Sequence, residues 1–155
     1  MKTLETWIRE NAEFAAKTFN ETGELTAMWV AECEDGTILP ICAPMTDKDR
    51  IVEAVKQIFK KHKAKRYIFM SEAWTIVERD KSKWNAAERF AERRSLSEHP
   101  DRREVIMVTG EDGERSIMGM MYILRPEHGK PTVSPFEVHS DMDRVGGRMT
   151  GLLPS

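Results

Sequence analysis

The 155-residue sequence has only two cysteines, Cys33 and Cys42, and no Cys-x-x-Cys pair. Neither a disulfide framework nor a thiolate zinc site is therefore the basis of its fold. No apolar run approaches the roughly 18 residues of a helical membrane span. The N-terminus, MKTLETWIRE, carries charges where a signal peptide would have its apolar region. Charge of one sign is also missing: 24 Lys and Arg stand against 26 Asp and Glu, for a formal net charge of −2. Such a balance gives no global attraction to nucleic acid or to an anionic bilayer. Neither GxGxxG nor GxxxxGK[ST] occurs, no GxSxG elbow is found, and no histidine stands in an obvious activating position for either cysteine. These absences point to a cytoplasmic protein with free thiols, and they leave catalysis without a motif.

What is present suffices for a folded core. Hydrophobic residues make up 40% of the chain and fall in blocks, and the length is that of one domain. The reading is a single domain over 1–155, with a core at 1–125 and an irregular segment at 126–155. Leu4, Trp7, Ile8, Ala12, Ala15 and Phe19 recur at helical spacing, which predicts an amphipathic helix over 3–20 with Gly23 as its stop. Residues 25–33 and 37–42 read as two strands around Asp35-Gly36, the second an edge strand because Pro40 cannot donate to a ladder. A two-residue loop there would pair Glu34 with Thr37, Cys33 with Ile38 and Cys42 with Trp29, which leaves the thiols out of register, buried and free.

Thr46 and Asp49 resemble a capping box before a second helix at 47–63, whose stripe is Ile51, Val52, Val55, Ile58 and Phe59. Residues 66–77 (RYIFMSEAWTIV) then have strand composition with neither face plainly polar. Such a strand belongs in the middle of a sheet covered on both sides. A short polar helix is expected within 78–102, from the spacing of Trp84, Ala87, Phe90 and Ala91. A second hairpin surrounds Asp112-Gly113, and a two-residue loop would pair Glu111 with Glu114, Thr109 with Ser116 and Met107 with Met118. Gly119 inside its second strand signals a bulge or a close backbone approach. Four of seven prolines and four of nine glycines fall in the last thirty residues. Val133, Phe136, Val138, Met142, Met149, Leu152 and Leu153 give that segment enough apolar groups to be pinned across the sheet.

The order helix, strand, strand, helix, strand, polar helix, strand, strand, irregular segment predicts an α+β fold. The sheet is expected to be mainly antiparallel and five-stranded, with the two long helices on one face. That order is similar to the profilin-like and roadblock-type folds, a resemblance of topology that implies no function.

Three constellations are candidates for chemistry. Glu72, among large apolar neighbours and next to Trp74, reads as a buried carboxylate and a candidate general acid or base, with His139 as its catalytic partner. The bland alternatives are a carboxylate bonded for structural reasons, or a face less covered than its neighbours suggest. Glu137, His139, Asp141 and Asp143 alternate along an extended segment, so all four would point to one side, in reach of a divalent cation. That spacing matches no metal motif, and a solvated edge explains it as well; no cofactor is expected apart from this candidate metal. Finally, Lys60, Lys61, His62, Lys63, Lys65 and Arg66, extended by Arg89, Arg93, Arg94, Arg102 and Arg103, could contact phosphates. The arginines are interleaved with acids and no exposed aromatics are expected for base stacking, so a solvated helix end outweighs nucleic acid. Met118, Met120, Tyr122 and Leu124 alternate with Ile117, Met121 and Ile123, so the last strand is also apolar on both faces. With both helices on one side, a second copy is expected to close the other. The leading expectation is a binding or accessory protein acting through protein–protein contact as a homodimer. An enzyme built on Glu72 is the runner-up.

Overall fold

The structure, a computed structural model, describes residues 2–44, 46–76, 102–142 and 151–154. The first helix, α1 (Leu4–Thr22), begins at Thr3, whose hydroxyl accepts the Thr6 N–H. It ends at Gly23, whose φ of 81° lies in the left-handed region that glycine enters without strain. Leu4, Trp7, Ile8, Ala12, Ala15 and Phe19 are its buried residues, the stripe that periodicity marks.

Two short strands follow, β1 (Met28–Cys33) and β2 (Ile38–Cys42). Their register corrects the expected pairing by one residue: Glu32 faces Ile38, and Met28 faces Cys42. Cys33 donates its N–H to the Thr37 carbonyl and Gly36 sits at φ 88°, so Glu34-Asp35-Gly36 form a three-residue loop with glycine at its left-handed position. Cys33 is buried and Cys42 exposed, both free, so only one of the two thiols lies inside as expected. The second helix, α2 (Lys48–His62), is capped by Asp47, whose carboxylate accepts the Arg50 N–H. Asp47, and not Thr46, is therefore the N-cap.

The long strand β3 (Ala64–Ile76) lies between β1 and β4 (Arg102–Glu111), and β4 continues into β5 (Ser116–Leu124). The C-terminal residues add β6 (Thr132–Val133) and β7 (Glu137–Met142), both paired antiparallel with β5. Among the described residues the sheet thus has seven strands, in the order β2-β1-β3-β4-β5-β6 with β7 also on β5, and their pairs are antiparallel. Five strands were legible in the sequence. The last two come from the proline-rich segment, which pairs along the edge of β5 as well as packing on the sheet. The polar helix expected within 78–102 lies outside the described residues, apart from Arg102, which opens β4.

The helices cover opposite faces, which corrects the expectation that they share one. Even-numbered β3 residues Ile68 and Met70 pack with the α1 stripe and with Ile106, Val108, Ile117, Met121 and Ile123. Odd-numbered Tyr67 and Phe69 pack with Val52, Val55 and Phe59 of α2, together with Trp29, Ala31 and Leu152. Alternation along one strand sends its side chains to two separate cores. Gly119 meets both expectations attached to it. The β5–β7 register shifts beside it, and a Cβ there would stand 2.3 Å from the Phe136 ring and 2.6 Å from the Glu137 carbonyl oxygen.

Candidate functional site

The β3–β4 ladder runs from Tyr67↔Glu111 at one end to Ile76↔Arg102 at the other. Both ends hold polar chemistry, in different surroundings.

At the first end, directly opposed residues share a face, so Tyr67, Glu111 and Ser116 form one row across β3, β4 and β5. Glu111 is 5% exposed. Its carboxylate accepts three donors: the Tyr67 hydroxyl, the Ser116 hydroxyl at 3.0 Å and the Gly151 N–H at 2.8 Å. The Tyr67 oxygen accepts the Leu152 N–H. Burial, and then the hydrogen bond and negative charge of Glu111, push the Tyr67 hydroxyl well above the ordinary tyrosine range. Above this row Leu152 is 2% exposed and enters the core between α2 and the sheet. Sequence reasoning missed Glu111 because it placed the residue in a tight turn facing Glu114. The real loop is four residues, Asp112–Arg115. The Asp112 carboxylate accepts the N–H groups of Glu114 and Arg115, and Glu111 is thereby carried into the ladder opposite Ser116. The available signal was alternation, since Val105, Met107 and Thr109 share the face of Glu111.

At the second end the sheet narrows. Pairing of β3 with β1 stops at Met70, and pairing of β4 with β5 stops at Val105. Residues 74–76 and 102–104 pair with each other and, among the described residues, with no other strand. Trp74 is 37% exposed and lies under the Arg102 guanidinium, 5.2 Å from its ring centroid. Arg103 lies 4.3 Å from the Tyr122 ring centroid on the other face. Glu104 holds Arg125 through two contacts of 2.6 and 3.1 Å, which raise the guanidinium further above its ordinary value. Among the described residues, no strand pairs with Ser71–Ile76 on the side facing β1.

Glu72 belongs to this second end and is exposed, not buried. Its carboxylate accepts the Leu25 N–H at 3.1 Å, just past the last β1–β3 pair. Along β3 Met70 is the last buried residue, and although Ile106 opposite Glu72 is buried, the apolar neighbours of Glu72 in sequence do not enclose it. His139 is on β7, and β4 and β5 stand between it and β3. Three strand spacings of about 4.8 Å put their backbones about 14 Å apart, so the structure does not bring this catalytic pair together. Glu137 and His139 do approach each other, with Nε2 and Oε2 3.8 Å apart. The wider cluster loses its geometric basis. Glu137 pairs with Met120 and Asp141 with Ile117, positions of opposite parity on β5, because the register shifts between them. Asp143 lies outside the described residues. Among the described residues, no group of three or more His, Cys, Asp or Glu side chains is placed to hold a metal ion.

The basic run is partly neutralised. Glu32 binds Lys65 at 3.1 Å and Arg66 at 2.7 Å, and Arg66 also donates to the Lys2 carbonyl and stacks 4.5 Å from the Trp7 ring centroid. Burial pushes the Glu32 carboxyl up, but the hydrogen bonds and charges of Arg66 and Lys65 outweigh it and hold the group below its ordinary value. Arg89, Arg93 and Arg94 lie outside the described residues. An exposed aromatic does exist, in Trp74, contrary to expectation, yet it stands beside Glu72 and Glu104 as well as Arg102. Among the described residues, no helix is long and apolar enough to cross a membrane. No protein-family model, no curated protein and no solved structure matches this chain.

Proposed function

We propose that the protein is a small binding domain that acts through protein–protein contact, with a second copy of itself as the partner. The observation that carries this reading is the β3 edge at Ser71–Ile76, which among the described residues pairs with no strand on the side facing β1, with Trp74 exposed beside it. An open edge accepts another strand through its main-chain groups. Two copies of one edge pair antiparallel about a two-fold axis, so a single surface is complementary to itself. The charges fit this occupant: Glu72, Glu104, Arg102, Arg103 and Arg125 put both signs at the same end. Tryptophan and arginine are the side chains that most often anchor interfaces. The earlier ground for a dimer, a sheet face without a helix, is gone, because α2 covers that face. The free thiols support a reducing, cytoplasmic setting.

Light scattering on the full chain at micromolar concentration tests the reading. A dimer mass that reverts to monomer in Trp74→Glu supports it. A monomer in the wild type, or a dimer indifferent to Trp74→Glu, refutes it. Retention on heparin that weakens with salt, in a monomeric wild type, would replace it with nucleic-acid contact.

A further inference from the structure

The dry end of the β3–β4 ladder supports a separate conclusion, independent of the dimer reading. We infer that the Tyr67–Glu111–Ser116 row and the adjoining Trp29–Phe59 cluster form a binding site for a short Gly-Leu-Leu-like peptide whose glycine takes the left-handed conformation (φ 67° at Gly151), which the chain's own Gly151–Leu153 fills in cis.

The contacts divide as they do in peptide recognition. Main-chain groups are held by polar partners: the Gly151 N–H goes to Glu111 and the Leu152 N–H to the Tyr67 oxygen. One side chain, Leu152, enters the apolar core, and Leu153 packs against its margin. Main-chain bonds give such a site affinity and the side-chain pocket gives it selectivity. The ligand class follows: a short segment with two successive free N–H groups and a leucine-sized side chain between α2 and the sheet.

Two features of the site do not follow from packing alone. A buried carboxylate is costly unless donors surround it, and an apolar residue of similar size would close the same row without that demand. Glu111 takes one of its donors from a segment that belongs to no strand of the sheet. In addition Trp29, fully buried in the same cluster, has an indole N–H with no acceptor among the described residues. A peptide whose carbonyl reaches this donor would gain a hydrogen bond that the cis segment does not give it among the described residues. A tethered segment competes at millimolar effective concentration, so a free peptide binds the intact chain poorly and a plug-weakened chain well.

The test uses the full-length chain and the synthetic peptide acetyl-Thr-Gly-Leu-Leu-Pro-Ser, followed by Trp fluorescence and calorimetry. Leu152→Ala, which keeps the whole chain but weakens the plug, is expected to bind the peptide at least roughly tenfold more tightly than wild type. Adding Glu111→Gln in that background should reduce binding by about tenfold, the effect of losing one charged acceptor. A folded Leu152→Ala chain that does not bind the peptide would overturn the inference. Should Leu152→Ala fail to fold, hydrogen exchange of the wild type decides. Gly151 and Leu152 amides that exchange at least about a hundredfold faster than those of Ile68 and Val108 support an exchangeable plug. Equal rates, set by global unfolding, mean the segment is a fixed part of the core and the site does not exist.

Discussion

Tyr67 and Ile76 belong to one strand and face one partner strand, yet they end in opposite surroundings. Around Tyr67 the sheet continues on both sides into β1 and β5, α2 lies above, and residues 151–153 close the row, so the carboxylate of Glu111 is kept from water. Around Trp74 β1 no longer pairs with β3, and the carboxylate of Glu72 is exposed, accepting the Leu25 N–H. Local sequence points the wrong way: Glu72 sits between apolar residues in FMSEAWTI and Glu111 in the polar run TGEDGER, yet Glu111 is the buried one. Burial of a polar group is decided by how many layers cover it, and that number changes along a single strand.

Substitutions matched across the two ends would sharpen or break this comparison. The largest difference is expected between the two tryptophans. Trp29→Ala removes a fully buried side chain that stacks 4.7 Å from the Phe69 ring centroid, and it should cost about 3–5 kcal/mol in denaturant unfolding. Trp74→Ala should change stability by no more than about 0.5 kcal/mol. Equal costs would mean that Trp74 is covered.

The two carboxylates come next. Glu111→Ala leaves two hydroxyls and an N–H without their acceptor and should cost about 2–4 kcal/mol. Glu32→Gln, which removes the charge that pairs with the shielded Arg66, should cost about 1–3 kcal/mol at neutral pH. That loss should vanish in acid. The carboxyl of Glu32 is depressed in the folded state, so its stabilisation is present above the ordinary glutamate value and disappears as pH falls below it.

Alkaline titration separates the ends by a smaller effect. The Tyr67 hydroxyl is raised on folding, first by burial and then by Glu111. The folded chain therefore keeps this proton when the unfolded chain releases it. Stability should be unaffected below the ordinary tyrosine value near 10 and fall by about 1.4 kcal/mol per pH unit above it. Tyr67→Phe should remove that slope. The smallest effect belongs to Glu72→Gln, where the amide oxygen still accepts the Leu25 N–H and the change should stay within about 0.5 kcal/mol.

Much of the scaffold was legible because it depends on local periodicity. The α1 stripe, the α2 stripe and the extended character of residues 66–76 follow from spacings of two and 3.6, and the Gly23 stop and the close approach at Gly119 follow from glycine placed inside or just past those patterns. Loop lengths were misjudged where an Asp-Gly pair was read as a two-residue turn. In the first hairpin the left-handed glycine closes a three-residue loop, and in the second the Asp112 side chain organises four residues. The second of these concealed the Tyr67–Glu111–Ser116 row, the most enclosed polar cluster of the described residues. The alternation assumed for Glu137, His139 and Asp141 crosses a position where the ladder shifts by one, and Asp143 lies outside the described residues.

From its sequence alone the chain determined the two long helices, their apolar stripes and the first five strands, because these depend on residues a few positions apart. Only the tertiary structure decided that the helices take opposite faces, where β1 stops along β3, and which glutamate lies dry. Those outcomes depend on contacts between residues forty or more positions apart, such as Leu25 with Glu72 and Glu111 with Gly151. The energy that decides between water and core is set by the layers these distant contacts bring together.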